Sequence, residues 1–397
     1  MDDTPNSTLV PGTRATTATG VHRNARIDLL RGVSILLVVL DHLAQRITPV
    51  QGVLGTFLPA RVIDGLFTHG YEAVFIFFVI SGFLITSMSL DRWQRLEQIN
   101  LKAFYALRFA RIVPCLLVLV AVLSLLDLLG VKDYVMEHDN QTLPGALTAA
   151  LGLYLNWYEG HTGHYLPAGW DVLWSLSIEE VFYIGFPLVC LVLRRQWLLT
   201  AFLVLLALSL PWTRAAALAT SEVWREKAYL PGMAAIATGV LTALLATRIR
   251  PKRWTQVLIL IGLLGIGAVL FADDILWRAF HEGLLLVLTL STACLLLAFH
   301  RPERSGSDKP LPGTAWVCAF GRLSYELYLT HVFVVFPVVE IFRATGASVR
   351  FGILWYPPAV ALCWVLATLV DKTLSTPCNR ALRKRLIRLS LSRAEAA

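Results

Sequence analysis

Charged residues are scarce in this chain of 397 residues: Asp, Glu, Lys and Arg make up 16% of it, whereas hydrophobic residues make up 56%. Soluble globular domains usually carry about 25% charged residues. This deficit argues against an ordinary soluble enzyme and predicts that most of the chain lies in a lipid bilayer. The net charge of +8 does not indicate nucleic-acid binding, because the Lys and Arg residues fall in short stretches between apolar runs.

Metal-binding and redox motifs are also missing. The six cysteines form no CxxC pair and no metal-ligand spacing, so we expect them to be reduced core residues. The histidines and carboxylates do not cluster at ligand spacings either, and we therefore expect no bound metal. Residues 1–26 are polar and lack the apolar core of a signal peptide, which predicts a disordered cytoplasmic tail.

Apolar segments of bilayer length recur along the rest of the chain. They predict an all-α polytopic membrane protein, a bundle of about ten transmembrane helices within a domain at 27–372, followed by a basic cytoplasmic tail at 373–397. The predicted spans are 28–46, 72–90, 112–130, 172–193, 196–213, 228–247, 254–272, 281–299, 320–341 and 351–371.

Loop charge predicts the orientation, because Lys and Arg concentrate in cytoplasmic loops. Arg14, Arg23 and Arg26 put the N-terminus in the cytoplasm, and the basic tail puts the C-terminus there. The loop after the third span lies outside and the loop after span 172–193 lies inside, so only one crossing is needed between them. Span 172–193 supplies that crossing, and the short apolar segment 144–157 lies before it. We therefore expect 144–157 to enter the membrane or lie at its surface without crossing. The location implied is the inner or plasma membrane.

The first polar pair within an apolar span is Arg31 and His42, with Asp41 beside the histidine. Eleven positions correspond to about three helical turns, so both side chains share one face, roughly 16 Å apart along the axis. In one interpretation, Arg31 lies at the helix end and extends its side chain to the membrane–water interface, and His42 lies at that interface too. Alternatively, His42 is a general base, since imidazole titrates near neutrality.

Two further stretches precede the middle of the chain. Ser81 and Gly82 interrupt an aromatic run, which is typical of a close contact between membrane helices. Arg108 and Arg111 are three residues apart and share a helix face, with Pro114 predicted in the first turn of the next span. The arginines are either a topology signal or an anion clamp for the phosphates of a nucleotide-bearing donor.

A carboxylate pair lies inside the span that begins near Trp174. Ser175, Glu179 and Tyr183 follow one another at intervals of four and form one polar stripe, while Glu180 points about 100° away. Glu179 must face the bundle interior because a lipid-facing carboxylate is too costly. Its role is either a structural hydrogen bond or a contact with substrate.

The last stripe combines Ser324, Tyr328 and His331 at helical spacing. His331 is either a satisfied core histidine or part of a substrate site.

Taken in order, five stretches resemble the acyltransferase-3 family of polytopic membrane acyltransferases. The resemblance implies transfer of an acyl group from acyl-coenzyme A to a hydroxyl, with Arg31, His42, Arg108, Arg111 and Glu179 at the family's functional positions. Acceptors in the family include sugars of surface polysaccharides, lipid-linked glycans and macrolide-type small molecules. The stretches are LRGVSILLVVLDH, FFVISGFLI, LRFARIVP, WSLSIEEVFY and SYELYLTH.

The chain departs from the family pattern in two respects. Members often have a histidine two residues before the tryptophan of the WSL motif, where this chain has Val172, with His161 and His164 further upstream. No segment resembles the hydrolase-like extracellular domain fused to some members. This makes an acceptor such as peptidoglycan, where a second domain is needed to receive the acyl group, less expected.

We therefore expect an integral-membrane O-acyltransferase that moves a short acyl group, such as acetyl, from acyl-coenzyme A to a carbohydrate, glycolipid or macrolide-type hydroxyl. His42 would deprotonate the hydroxyl or be briefly acylated, and Glu179 would orient the acceptor or balance the imidazolium. No cofactor would be permanently bound. The remaining residues expected at the catalytic, donor or substrate site are Arg31, Asp41, Arg108, Arg111, Ser175, Tyr183 and His331.

Two other classes remain open. Buried Arg, His and Glu also mark proton-coupled transporters and flippases, although no internal repeat is visible. A non-catalytic membrane-assembly protein would tolerate replacement of His42.

Overall fold

The computed structural model describes residues 24–249, 253–300 and 309–395. Every regular element in these ranges is a helix, which confirms the all-α prediction for the described part of the chain. Most of the predicted tail 1–26 lies outside the described residues; the first helix begins at Ala25, where the side chain of Asn24 accepts hydrogen bonds from the amides of Arg26 and Ile27.

The helices fall into three groups along the chain. The first group is α1 (Ala25–Ala44), α2 (Leu54–Phe57), α3 (Ala60–Phe67), α4 (Gly70–Trp93) and α5 (Leu101–Leu128). The second is α6 (Leu143–Leu151), α7 (Leu155–Thr162), α8 (Ala168–Asp171), α9 (Leu173–Val192), α10 (Gln196–Leu208), α11 (Leu210–Leu218), α12 (Glu222–Lys227) and α13 (Tyr229–Arg248). The third is α14 (Thr255–Phe271), α15 (Asp273–Phe280), α16 (Leu284–Phe299), α17 (Ala315–Arg322), α18 (Ser324–Thr330), α19 (Val332–Ala344), α20 (Tyr356–Val370) and α21 (Thr376–Glu395).

Six helical segments among the described residues are long and apolar enough to cross a membrane, and the count rises to eight if two bent pairs each form one span. The bent pairs are α10 with α11 (43°) and α18 with α19 (48°). Two other predicted spans correspond to α14, which is shorter, and to α1, which carries Asp28, Arg31 and Asp41. The six segments are Gly70–Trp93, Leu101–Leu128, Ala168–Val192, Glu222–Arg248, Asp273–Phe299 and Val349–Arg385.

The segment 144–157 divides between α6 and α7, of nine and eight residues. Neither helix is long enough to span a bilayer, for which about 20 residues are needed.

The start of α5 corrects one expectation. The helix begins at Leu101, where Asn100 caps the amide of Ala103, so Pro114 lies in the helix interior and not in a first turn. Hydropathy detects only the apolar part of a helix, whereas α5 begins several residues earlier and includes the basic turns before the apolar run. Arg108 and Arg111 therefore project from a rigid element.

Pairs of glycines allow two close helix crossings, the first of them between α4 and α13. A Cβ atom added to Gly82 of α4 would lie 2.0 Å from the carbonyl oxygen of Ile236 in α13, and one added to Gly239 would lie 1.9 Å from that of Val79. Close backbone approach at small residues is a main source of packing between membrane helices. The contact predicted at Ser81 and Gly82 is therefore present.

A second pair joins α1 to α17. A Cβ on Gly321 would lie 1.8 Å from the carbonyl oxygen of Asp28, and one on Gly32 would lie 2.0 Å from that of Val317. This crossing holds α1 against the C-terminal helices. All six cysteines are free, and four of them are buried, as predicted.

Candidate active site

Two imidazoles meet inside the bundle. The ring of His42, near the end of α1, packs edge-on against that of His331, with 4.8 Å between centroids. His331 is fully buried and lies at the break between α18 and α19. Breaks in membrane helices are tolerated where the freed backbone is buried in protein or lines a cavity, and they mark many binding sites.

The hydrogen bonds of the two rings fix which nitrogen is available. His42 Nδ1 lies 2.9 Å from the carbonyl oxygen of Val38, and His331 Nδ1 lies 2.9 Å from that of Tyr328. A carbonyl oxygen only accepts, so Nδ1 carries the proton in each ring and Nε2 presents a lone pair. Nε2 of His331 is buried without a hydrogen-bond partner in the described part of the protein. Both imidazoles are thus arranged as bases.

Arg31 lies on the same face of α1 as His42, as its spacing predicts. Its Nη2 donates to Ser324 Oγ at 2.7 Å, and its Nη1 lies 4.0 Å from the carboxylate of Asp28. Ser324 begins α18, and His331 follows the end of α18. One stripe of α1 therefore contacts α18 twice, through Arg31 with Ser324 and through His42 with His331.

Tyr328 connects the histidines to α9. Its hydroxyl lies 2.7 Å from Ser175 Oγ, and its ring centroid is 6.2 Å from that of His331. Ser175 therefore contacts α18 and not the partners of Glu179. Tyr328 belongs to the stripe noted in the sequence, but the spacing did not indicate that it would bridge two distant helices.

Glu179, Tyr183 and Ser81 form a hydrogen-bonded group one to two turns along α9 from Ser175. Ser81 Oγ and Tyr183 Oη both donate toward the carboxylate of Glu179, and the two hydroxyls also contact each other. The stripe predicted on α9 is thus divided between two neighbours, α18 at Ser175 and α4 at Glu179. Glu179 faces the interior, as expected.

The predicted anion clamp lies next to this group. Arg108 stacks over the ring of Tyr183 at 4.6 Å, and Arg111 lies over Tyr325 at 5.9 Å. Cation–π contacts hold guanidinium groups without neutralising them. Glu180 is buried and interacts electrostatically with both arginines.

Asp41 is separated from this arrangement. Its carboxylate accepts from Gln45 at 2.9 Å and packs against Gly70 at the start of α4. Asp41 and His42 therefore face different helices, because neighbours on a helix point about 100° apart. His161 and His164 do not contact His42 either; they stack on Trp157 and His138.

Sequence reasoning missed a buried ion cluster near the start of α9. Lys227 Nζ lies 2.7 Å from Asp171 and 4.0 Å from Glu159, and its ammonium also lies 4.7 Å from the Trp174 ring. Burial raises the pKa of Glu159 well above its usual range, with the charge of Asp171 adding to the effect. A lysine at the edge of an apolar span was the only available signal. In the described residues, no group of three or more His, Cys, Asp or Glu side chains can hold a metal ion.

Comparison with known proteins places this arrangement in a family. A family model described as an acyltransferase domain, of the acyltransferase-3 type, matches residues 24–370. Peptidoglycan O-acetyltransferase OatA of Listeria monocytogenes is 26% identical over 388 residues, covering 89% of this chain and 55% of the relative. O-acetyltransferase OatA of Staphylococcus aureus is 29% identical over 148 residues, covering 37% of this chain and 24% of the relative.

The chain thus spans about half the length, or less, of these curated relatives. No solved structure matches.

Proposed function

This chain belongs to the acyltransferase-3 family, and from that membership we propose that it is an integral-membrane O-acyltransferase using acyl-coenzyme A as donor. The observation that carries the proposal is the pair of adjacent imidazoles of half-buried His42 and fully buried His331, each with Nδ1 bonded to its own helix and Nε2 available. A bundle of about ten spans with both termini in the cytoplasm, set in the cell membrane, completes the proposed arrangement.

The donor is proposed to bind at the cytoplasmic end, with its phosphates on Arg108 and Arg111. These guanidiniums are held by aromatic rings, which leaves their N–H groups for an anion. Tyr183 contacts Arg108, and Ser175 contacts Tyr328, whose carbonyl oxygen accepts from His331. Tyr183 and Ser175 are eight positions apart on α9, or about 12 Å. The pantetheine arm of coenzyme A is long enough to carry a thioester over that distance.

His42 is proposed as the general base. Its Nε2 takes the proton of the acceptor hydroxyl as the oxygen attacks the thioester carbonyl. The C–S bond then breaks, the ester is released, and the imidazolium returns the proton to the departing thiolate. The alternative order, in which Nε2 is acylated first and the hydroxyl attacks the acyl-imidazole, uses the same lone pair. Neither route requires a permanently bound cofactor.

The other predicted residues take supporting roles in this proposal. Arg31 fixes α18 through Ser324, and His331 packs against His42 and keeps its ring in place. Glu179, with Ser175 and Tyr183, provides polar groups along the path of the substrates. Asp41 would act on a substrate only from the side of α4, since it faces away from His42.

A glycan hydroxyl is the proposed acceptor and acetyl the proposed acyl group. The support is the names of the relatives, which are O-acetyltransferases, one of them of peptidoglycan. Peptidoglycan fragments are therefore the first acceptors to test, followed by lipid-linked glycans and macrolides.

The test is transfer of label from acetyl-coenzyme A to these acceptors by the purified full chain in lipid nanodiscs. The proposal predicts ester formation that depends on both substrates. Absence of ester with every acceptor, together with absence of thioester hydrolysis, would contradict it.

A transporter remains the second candidate, because α10/α11 and α18/α19 are bent pairs of the kind that carriers use. Sealed proteoliposomes separate the two. A carrier moves the glycan across the membrane without acetyl-coenzyme A, whereas the proposed enzyme leaves it in place until it is esterified.

A further inference from the structure

Four arginines from three helices come together at one end of the bundle. Arg92 lies in the last turn of α4, Arg108 and Arg111 lie on α5, and Arg383 lies on α21, which packs along α5. Arg383 is within electrostatic range of the other three. We call this group the arginine mouth.

The arginine mouth is not paired with carboxylates in the described part of the chain. No carboxylate of the described residues forms an ion pair with any of its four members, whereas other arginines are paired, as Arg61 is with Asp274 at 2.6 Å. Glu180 lies within range of Arg108 and Arg111 but is buried deeper in the bundle. Like charges brought together by folding repel one another unless an anion binds between them.

The positions of the four guanidiniums divide into two pairs. Arg108 and Arg111 are three residues apart on one helix, so their Cβ atoms are about 5–6 Å apart, which suits one phosphate or pyrophosphate group. Arg92 and Arg383 come from other helices and extend the positive surface beyond α5. One pair on α5 and a second pair from α4 and α21 could therefore each hold one phosphate group.

We propose that Arg383, together with Arg92, binds a second phosphate group of the molecule whose first phosphate group lies on Arg108 and Arg111. This inference rests on the proposed function, and the ligand it names is coenzyme A, which carries a pyrophosphate and a separate 3′-phosphate. Arg383 lies beyond residue 370, where the family match ends. The second half of the site thus combines Arg92 of the matched domain with Arg383 from α21, outside it.

The headgroup of an anionic phospholipid carries the same phosphate chemistry, and basic segments at the cytoplasmic face attract such lipids. The experiment must therefore separate a soluble nucleotide from a lipid. Arg385 provides a matched control, because it lies on α21 two positions from Arg383, about 200° around the helix.

The first arm measures binding of coenzyme A and of 3′-dephospho-coenzyme A by calorimetry, using the purified full chain in a neutral detergent. For Arg383→Ala we expect coenzyme A to bind at least about tenfold more weakly, as for loss of one charge-assisted contact, and 3′-dephospho-coenzyme A to bind almost as to the wild type. Arg383→Lys should restore part of the loss, and Arg385→Ala should leave both affinities unchanged.

The second arm adds vesicles of phosphatidylglycerol, or of phosphatidylcholine as the neutral reference, and measures thermal stabilisation. If Arg383→Ala removes stabilisation by phosphatidylglycerol alone, Arg383 binds a lipid phosphate and the assignment to coenzyme A is overturned. If Arg383→Ala changes neither arm, or changes them no more than Arg385→Ala does, the inference is overturned. Binding is measured without turnover, so failure of acyl transfer and failure of this site are distinguishable.

Discussion

Two cationic clusters lie near opposite ends of α4, and they differ in what neutralises them. Near Tyr71 in the first turn, Lys227 is 3% exposed and paired with Asp171 at 2.7 Å, and the carboxyl of Glu159 lies 4.0 Å away without serving as the main counter-ion. At the other end, Arg92 belongs to the arginine mouth, where the described residues provide no ion pair. Aromatic rings contact the cations in both clusters, so aromatic packing does not distinguish them.

The difference indicates two uses of buried or crowded positive charge. A cation whose counter-ion is part of the fold contributes to the structure, and removing it leaves an uncompensated carboxylate. A group of cations without counter-ions contributes repulsion to the folded state and becomes favourable when an anionic ligand arrives. We therefore expect mutations at the Lys227 cluster to affect stability and mutations at the arginine mouth to affect binding.

The largest effect should follow Lys227→Met. Truncating one partner of a buried ion pair typically costs about 3–5 kcal/mol, since Asp171 would remain without its cation. Thermal unfolding of the solubilised protein measures the loss. Lys132→Met is the matched control, because Lys132 forms an exposed pair with Glu340 and such pairs contribute at most about 1 kcal/mol. Equal effects of the two substitutions would break the comparison.

Arg108→Ala should weaken donor binding and leave the stability of the fold unchanged. Loss of one charge-assisted contact of about 1.5–3 kcal/mol should raise the Michaelis constant for acyl-coenzyme A roughly 10- to 150-fold. The unfolding temperature should not fall. Arg108→Lys should rescue only in part, because an ammonium lacks the planar fork that grips two phosphate oxygens. If Arg108→Lys shows the wild-type Michaelis constant for acyl-coenzyme A, Arg108 acts only as a topology signal.

A smaller effect is expected from Glu159→Gln, and it depends on pH. Burial raises the pKa of Glu159 well above its usual range, so the folded state favours the protonated carboxyl. Stability from this group is present at low pH and is lost as pH rises through the raised pKa. Glutamine resembles the protonated form and can still accept from the Leu166 amide.

The measurement is unfolding temperature from acidic to alkaline pH. The wild type should lose stability with rising pH more steeply than Glu159→Gln, while the exposed control Glu340→Gln should follow the wild type. Parallel curves for all three proteins would show that Glu159 is not held protonated.

The smallest effect concerns salt. Exposed charges are screened over about 8–10 Å at physiological ionic strength, and buried pairs much less. Raising the salt concentration should weaken binding of coenzyme A at the arginine mouth without lowering the unfolding temperature of the ligand-free protein, because salt screens the repulsion among the arginines. A ligand-free protein that becomes markedly less stable in salt would show that the arginine mouth has counter-ions within the fold.

Much of the candidate site was predictable because it depends on spacing along one helix. Arg31 and His42 share a face of α1, and both contact the α18 region as one stripe. The partners themselves were not predictable, since Ser324 is 293 positions from Arg31 and only packing brings them together. The break at His331 was also missed, because hydropathy sees 320–341 as one apolar run.

The pairing of charged side chains was the second feature that the sequence could not predict. The sequence shows that Lys227 lies at the edge of an apolar span, but not that Asp171 and Glu159 reach it from α8 and α7. Arg383 lies in the predicted basic cytoplasmic tail, and the sequence did not indicate that the helix carrying it packs against α5. In both cases, a count of charges along the sequence does not show which charged side chains meet in the fold.

The central claim is that the available lone pair of His42 performs the acyl transfer, and single-turnover transfer from labelled acetyl-coenzyme A tests it most directly. His42→Ala should lower the rate by about 10²–10⁴, with donor binding and unfolding temperature unchanged. His161→Ala, which removes an exposed histidine stacked on Trp157, should transfer at the wild-type rate. Retention of more than a tenth of the wild-type rate by a folded His42→Ala protein would contradict the account.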